Sequence, residues 1–409
     1  MSTSQPEIFF AIPAMNEADF LPACFSCVEK QTYKNINVVV CVNQPESFRY
    51  DPEKKHICEN NARTLEYLNA YDKFPLTVID RSSESKGWKG KKHGVGWARK
   101  VAMDHISSVA PEDAIIICMD ADTVFDPEFC SSIVRNFHPY KNAVALALPY
   151  YHRLTGDDVI DRSMLRYEIY MRYYAINLWR IKNPYCFTAI GSSMAVPVHA
   201  YRAMGGITPK LSGEDFYFLQ KLRKYGGVIV WNEEATYPAT RYSDRVFFGT
   251  GPALIKGRNN EWESYPMYSY LLFDQVKKTF DLFESLFSND VETPMDHFLQ
   301  KTFLCDDLWT PLRENFKDKN KFIKACAEKV DGLRILQYLK SQQVVSENEA
   351  VFLIEYLKHF HQVILDQKNI NPDGLTFEGS DISELNIVRD LLAEIENGYR
   401  KKFRIIDWY

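Results

Sequence analysis

The sequence predicts an α/β fold: a doubly wound, mainly parallel sheet with helices on both faces over residues 1–250, then a mainly helical region over 251–409. Three observations predict it. Short apolar runs of strand length alternate with segments of helical periodicity from Ile8 to Leu148. The run Ile115-Ile116-Ile117-Cys118-Met119 stops abruptly in Asp120-Ala121-Asp122, as a strand buried on both faces stops where a ligand crevice opens at its carboxyl end. After about Gly251 the composition turns to helical registers through Phe280, Phe283, Phe287, Leu336, Leu339, Leu353 and Leu357, and no chemical motif stands there.

In order, Ile8–Ala14 reads as the first strand, and Met15-Asn16-Glu17-Ala18-Asp19 opens a helix toward Lys30. Ile36–Val42 is the second strand, followed by helical spacing over Glu53–Tyr71 through Ile57, Ala62, Leu65 and Leu68. Leu76–Asp80 is the third strand, and Lys91–Ile106 a helix with Val95, Ala98, Val101 and Ala102 along one side. Ala114–Asp120 is the fourth strand, with a helix from Pro127 and a strand at Ala143–Leu148 beyond it. Strands interleaved with helices imply parallel crossovers. Val159–Lys182 then breaks the rhythm: Ile160, Met164, Tyr167, Met171, Tyr174, Leu178 and Ile181 recur at spacings of four and three, as in one long core-packing helix.

At 409 residues the chain is long enough for two domains. With 46% hydrophobic and 25% charged residues it is a globular protein rather than a disordered one. A formal net charge of −5 gives no global field for nucleic acid, and no nucleic-acid partner is expected. Basic residues do cluster in Lys86-Gly87-Trp88-Lys89-Gly90-Lys91-Lys92-His93, a loop that leads into a helix where an anion can bind. Nine scattered cysteines, of which only Cys24 and Cys27 have two residues between them, inside a helical pattern and with no second pair, suggest a reducing compartment. Met1-Ser2-Thr3-Ser4-Gln5-Pro6 has neither the basic nor the apolar region of a secretory signal, and no apolar stretch approaches the ~20 residues that span a bilayer. A cytoplasmic protein is therefore expected, with peripheral contact at the cytoplasmic membrane surface left open.

The carboxyl ends of the strands carry the chemistry. Unpaired buried carboxylates are costly, so two acids spaced i, i+2 at a strand end call for a ligand. Hard divalent cations take carboxylate oxygens and usually hold substrate phosphates as well, which makes Asp120-Ala121-Asp122 a candidate metal–diphosphate site. The same crevice collects Ile12-Pro13-Ala14-Met15-Asn16-Glu17, Val42-Asn43-Gln44, Asp80-Arg81, Gly191-Ser192-Ser193-Met194 and Leu211-Ser212-Gly213-Glu214-Asp215-Phe216.

Over roughly residues 7–250 this order resembles the family 2 glycosyltransferases of the GT-A fold. The resemblance rests on Pro-Ala-Met-Asn-Glu, Asp-Ala-Asp, Gly-Ser-Ser-Met and Gly-Glu-Asp followed by Phe216-Tyr217-Phe218-Leu219. It implies a nucleotide-diphosphate sugar donor and a glycan, lipid-linked or small-molecule acceptor, with Mg²⁺ or Mn²⁺ as cofactor. It implies that Pro13, Ala14 and Glu17 line the nucleotide pocket and that Asp120 contacts ribose or sugar. Asp122, with Asp120, is the implied metal holder, Asp215 the base, and Glu214 the residue that orients the acceptor or that base. Asp80, Lys91 and Ala121 fall on the donor side, and Gly191, Ser192 and Ser193 on the acceptor side.

The residue types suit that chemistry. A sugar hydroxyl is a poor nucleophile until a carboxylate takes its proton, and a departing nucleoside diphosphate needs cationic stabilisation. One base and a directly attacking hydroxyl imply inversion. The second strand departs from the family pattern, since Asn43 stands where acidic residues are common; it can bond a uracil or guanine edge but carries no charge. Arg241 and Arg245, in Arg241-Tyr242-Ser243-Asp244-Arg245, can bring a guanidinium to the diphosphate or remain a solvated loop.

A dinucleotide oxidoreductase is excluded, because Pro13-Ala14-Met15-Asn16-Glu17 stands where a glycine-rich turn is needed. A metal-dependent nucleotidyltransferase and a non-catalytic glycan- or partner-binding domain are the remaining alternatives.

Overall fold

The computed structural model describes residues 5–243, 249–343 and 348–407. Among them are ten strands: β1 Ile8–Ala14, β2 Ile36–Asn43, β3 Leu76–Arg81, β4 Ile115–Cys118, β5 Thr123–Phe125, β6 Ala143–Ala147, β7 Met194–Pro197, β8 Gly227–Ile229, β9 Thr236–Pro238 and β10 Ile405–Ile406. Eight form one sheet in the order β10-β8-β6-β7-β4-β1-β2-β3, while β5 and β9 make a separate antiparallel ribbon. The pairs β1–β2, β1–β4, β2–β3 and β6–β8 are parallel, whereas β7 runs antiparallel to both β4 and β6. The sheet is mixed and mostly parallel, as the interleaving of strand and helix predicts.

Every residue of β1 and β4 is buried, which is why neither sequence alternates polar with apolar. One face of β1 presents Ile8, Phe10 and Ile12 to a cluster with Leu21, Cys24, Phe25 and Val28 of helix α1 (Leu21–Glu29). Helix α2 spans Lys55–Asn69 and α3 spans Val95–Val109; α3 packs on β1 and β2 through Ala98, Ala102, Met103 and Ile106. Helix α4, Phe129–Phe137, adds Phe129, Cys130 and Ile133 to the first cluster. The nine cysteines are all free.

Two helix starts differ from the sequence expectation. The first helix begins at Leu21, not near Met15, because Asn16 has a left-handed backbone (φ 61°) and the amides of Asn16 and Ala18 are taken by the side chains of Asn61 and Asn60. The third begins at Val95, after Gly94, so Lys91 lies in the preceding exposed turn rather than in a helix.

The chain forms two compact units that interleave along the sequence where one division near residue 250 was expected. The first comprises 1–164, 188–259 and 400–406; the second comprises 165–187, 260–399 and 407–409. The first unit recovers residues 400–406 from the chain end: Ile405 and Ile406 pair antiparallel with Ile229 and Val228 of β8. Buried Arg400 donates to the carbonyls of Ala147 and Val230 at 3.0 and 3.1 Å, satisfying two acceptors at the ends of β6 and β8.

The second unit is helical. The long helix α5, Asp158–Arg180, supplies most of its length to it, and further helices run from Tyr270–Asp281 to Ile382–Phe403. Its interior holds Phe273, Val276, Leu299, Phe322, Ile335, Leu353 and Leu357. It also holds an ion network: Arg172 bonds Glu168 at 2.7 Å and Glu396 at 2.7 Å, and Arg389 approaches Glu168 at 3.5 Å. Among the described residues no helix is long and apolar enough to cross a membrane.

Candidate active site

The site lies wholly in the first unit, at the carboxyl ends of β1, β2 and β4. Backbone bonding carries β4 one residue past Cys118, since Met119 N donates to Ala11 O at 3.2 Å, and the chain then turns with Thr123 N donating to Asp120 O at 3.1 Å. Ala121 is buried in the core, at 1% exposure, and it flanks two acids that both reach charged partners.

Those partners differ. Asp120 Oδ1 accepts from Arg99 Nη2 at 2.9 Å. Asp122 Oδ2 accepts from Arg241 Nε at 2.8 Å and Nη2 at 2.6 Å, and the same Nη2 donates to Glu17 Oε1 and Oε2 at 2.6 and 2.7 Å. The Arg241 guanidinium also lies 4.0 Å from the centre of the Phe20 ring. Burial works against the charge of Arg241, but Asp122 and Glu17 more than offset it and hold its pKa above the ordinary value.

Arg99, on α3, is 1% exposed and commits its fork to three elements. Besides Asp120, Nε donates to Glu214 Oε1 at 3.1 Å and Nη1 to Gly191 O at 2.8 Å. A Cβ at Gly191 would sit 2.5 Å from Arg99 Nη2 and 3.5 Å from Asp215 Oδ2, so a side chain there would have to displace the guanidinium. Helix α6 covers Val198–Ala203, and α7, Glu214–Tyr225, starts immediately after Gly213, whose φ of 74° lies in the left-handed region. The turn sets Glu214 and Asp215 in the first turn of α7, where the helix dipole favours carboxylates.

Arg99 thus joins Glu214, at the start of α7, to Asp120, in the turn after β4. Asp215 Oδ1 accepts from the Phe216 amide at 2.7 Å, and among the described residues Oδ2 has no hydrogen-bond partner. Burial and the neighbouring Glu214 push the Asp215 carboxyl up to about 7, against the opposing pull of Arg99 and the Phe216 amide.

The expected donor-side residues are less uniform. Pro13 and Ala14 are buried in β1, and Asn43, 2% exposed, spends its side chain internally. Its amide donates to Ala14 O at 3.0 Å, and its carbonyl accepts from Trp88 Nε1 at 3.2 Å, so it is not free to meet a base edge. Asp80 closes a turn, accepting from the amides of Ser82 and Ser83 at 2.9 Å each and pairing with Lys86 at 2.9 Å. Burial opposes its charge, and these bonds outweigh burial and hold its carboxyl well below the usual range. Lys91 is exposed, and Arg245 lies outside the described residues.

On the other side, Ser192 is buried, yet its hydroxyl has no partner among the described residues, which is unusual for a buried polar group. Ser193 Oγ bonds Thr236 Oγ1.

Sequence reasoning missed Arg99. The signal was present: Arg99 falls on the same buried stripe as Gly96, Ala98, Ala102 and Met103, where an arginine must be paired. As for a metal, Asp120 Oδ2 and Asp122 Oδ1 have no hydrogen-bond partners among the described residues, and carboxylate oxygens suit Mg²⁺ or Mn²⁺. Among the described residues no cluster of three or more His, Cys, Asp or Glu could hold a metal, so substrate phosphates would have to complete the coordination shell.

Residues 115–273 match the family described as Glycosyl transferase family group 2. No curated protein matches the chain. Solved structures that are similar include TarS 1-349 of S. aureus in complex with UDP-GlcNAc, at 12% identity over 97% of this chain and 91% of that one, TM-score 0.41. Another is the mannosyltransferase PcManGT of Pyrobaculum calidifontis with GDP-Man and Mn²⁺, at 14% identity over 98% and 89% of the two chains, TM-score 0.40. The matched segment holds Asp120, Asp122, Gly191, Glu214, Asp215 and Arg241. Residues 115–273 are thus similar to a glycosyltransferase family, as the motifs of the sequence suggested.

Proposed function

We propose that the chain transfers a sugar from a nucleotide-diphosphate sugar to an acceptor hydroxyl, with inversion at the anomeric carbon, using groups within residues 1–250. Asp215 Oδ2 takes the hydroxyl proton as the acceptor oxygen attacks that carbon. The bond from the carbon to the diphosphate oxygen breaks, and the nucleoside diphosphate leaves with the bonding electron pair. A base must come within hydrogen-bond reach of its proton; Glu214 is tied to Arg99 through Oε1, while among the described residues Asp215 bonds only the Phe216 amide and carries no ion pair. Glu214, tied to Arg99, holds the first turn of α7 in place.

Asp122 and Asp120 would hold Mg²⁺ or Mn²⁺, which when bound would offset charge developing on the diphosphate. Arg241 stands beside Asp122 and can turn its guanidinium to the same phosphates. Glu17 and Ala14 border that end, while Ser192 and Ser193 border the acceptor end. The acceptor is a glycan, a lipid-linked sugar or a small molecule. A cytoplasmic setting goes with this reading.

The observation that carries the reading is the single guanidinium of Arg99 shared by Asp120 and Glu214, at 2.9 and 3.1 Å, which sets the donor-side and acceptor-side acids at one cleft. A thermal-shift screen of nucleotide sugars with and without Mn²⁺ tests it, starting with UDP-GlcNAc and GDP-Man. A donor that binds the folded state alone raises the melting temperature, by about 2.7 kcal/mol of stability at a hundredfold excess over Kd. No shift with any nucleotide sugar would remove the reading. A shift with a nucleoside triphosphate in preference to every nucleotide sugar would favour a nucleotidyltransferase, and donor binding without turnover a binding module.

A further inference from the structure

We infer that Arg99 is a positioning residue for sugar transfer: by bonding Asp120, the Gly191 carbonyl and Glu214 together, it fixes the distance between the donor-side and acceptor-side carboxylates. This deepens the transferase reading and rests on it.

The geometry carries the inference. Arg99 is 1% exposed, and its Nε, Nη1 and Nη2 each donate to a different element, at 3.1, 2.8 and 2.9 Å. Three of its five N–H groups are thus spent on the protein itself. Arginine suits the task because its planar fork fixes several acceptors in one plane, whereas lysine offers only a point charge. Asp120 and Gly191 lie just beyond the paired ends of β4 and β7, whereas Glu214 opens α7, which no strand pairing joins to either. Gly191 lets the loop approach, because a Cβ would lie 2.5 Å from Nη2. Asp215 follows Glu214 on the same helical turn, so Arg99 sets the acceptor-side acid through its neighbour. A misplacement of about 1 Å in such a constellation costs on the order of 10²-fold in rate.

The test uses the full chain with Arg99→Gln and Arg99→Lys, after circular dichroism and melting curves have shown which variants fold. UDP and GDP binding with Mn²⁺ is measured by calorimetry, and nucleoside diphosphate release is measured at saturating nucleotide sugar. Arg99→Gln is expected to bind the nucleotide within about threefold of wild type and to lose kcat by about 10²-fold, with the donor KM nearly unchanged. Arg99→Lys is expected to regain part of that kcat. A kcat within threefold of wild type in Arg99→Gln, or a loss that appears only in donor affinity, overturns the inference.

A second arm needs neither turnover nor a folded Arg99 variant. Two carboxylates sharing one buried guanidinium are energetically coupled, so the melting-temperature losses of Asp120→Asn and Glu214→Gln should not add in the double variant. Strict additivity overturns the inference even if the chain transfers no sugar. Coupling together with no donor binding or turnover in wild type removes the transferase reading and leaves Arg99 as the tie between the two acids.

Discussion

Arg241 Nε donates to Asp122 Oδ2 at 2.8 Å, so the carboxylate proposed to hold a divalent cation already carries a positive partner, and that partner is shared with Glu17. Glu17 and Asp122 are 3% and 14% exposed, and neither can lose its cation cheaply.

Replacing Arg241 by glutamine should therefore leave two enclosed carboxylates facing each other. In metal-free buffer the variant is expected to lose roughly 1–3 kcal/mol of stability. Added Mn²⁺ should raise its melting temperature more than it raises that of wild type, because the cation can take the vacated charge position. An equal response of the two proteins to Mn²⁺ would count against a metal at Asp122.

The raised Asp215 carboxyl has two consequences of defined sign. A base must be deprotonated, so kcat/KM should climb with pH through about 7 and level off above it. For stability the sense is opposite. The folded-state value lies above the ordinary 3.8, so the contribution of this group is fully present below 3.8 and is lost as pH rises toward 7. Asp215→Asn should accordingly melt higher than wild type at pH 8 and close to it at pH 4. Melting curves at the two pH values check the difference; a gain confined to pH 4 would contradict it.

Part of this was legible in the sequence, and the reason is local. The apolar run Ile115–Met119 and the acids that end it lie within eight residues, and Glu214-Asp215 open a periodic helix, so both segments stood out as candidates, the second with the help of the family resemblance. Arg99 was not located, because its partners Asp120, Gly191 and Glu214 lie 21, 92 and 115 residues away and no short window contains them. Asn43 was assigned to a nucleotide base on residue type, but Trp88, 45 residues on, takes its carbonyl instead. The return of Ile405–Ile406 to the sheet left no trace either, since two residues carry no periodicity.

In the second unit, Glu168 is fully buried between Arg172 and Arg389. Glu168→Ala would take one carboxylate from Arg172, which keeps Glu396, and from Arg389, which keeps Asp390, and losing a buried charged acceptor costs about 1–3 kcal/mol. Chemical denaturation should show that loss. If the variant unfolds at the same denaturant concentration as wild type, the network is not what stabilises this interior.

The central claim is that Asp215 deprotonates the acceptor, and the most direct measurement compares wild type with Asp215→Asn in two assays on the same preparations. One is the release of nucleoside diphosphate from a nucleotide sugar with Mn²⁺, and the other is the Kd of that donor. The expected result is a donor Kd within about threefold of wild type and a turnover lower by roughly 10²–10⁴-fold, the usual contribution of a positioned general base. Turnover near the wild-type rate in Asp215→Asn, with the donor still bound, would contradict the account.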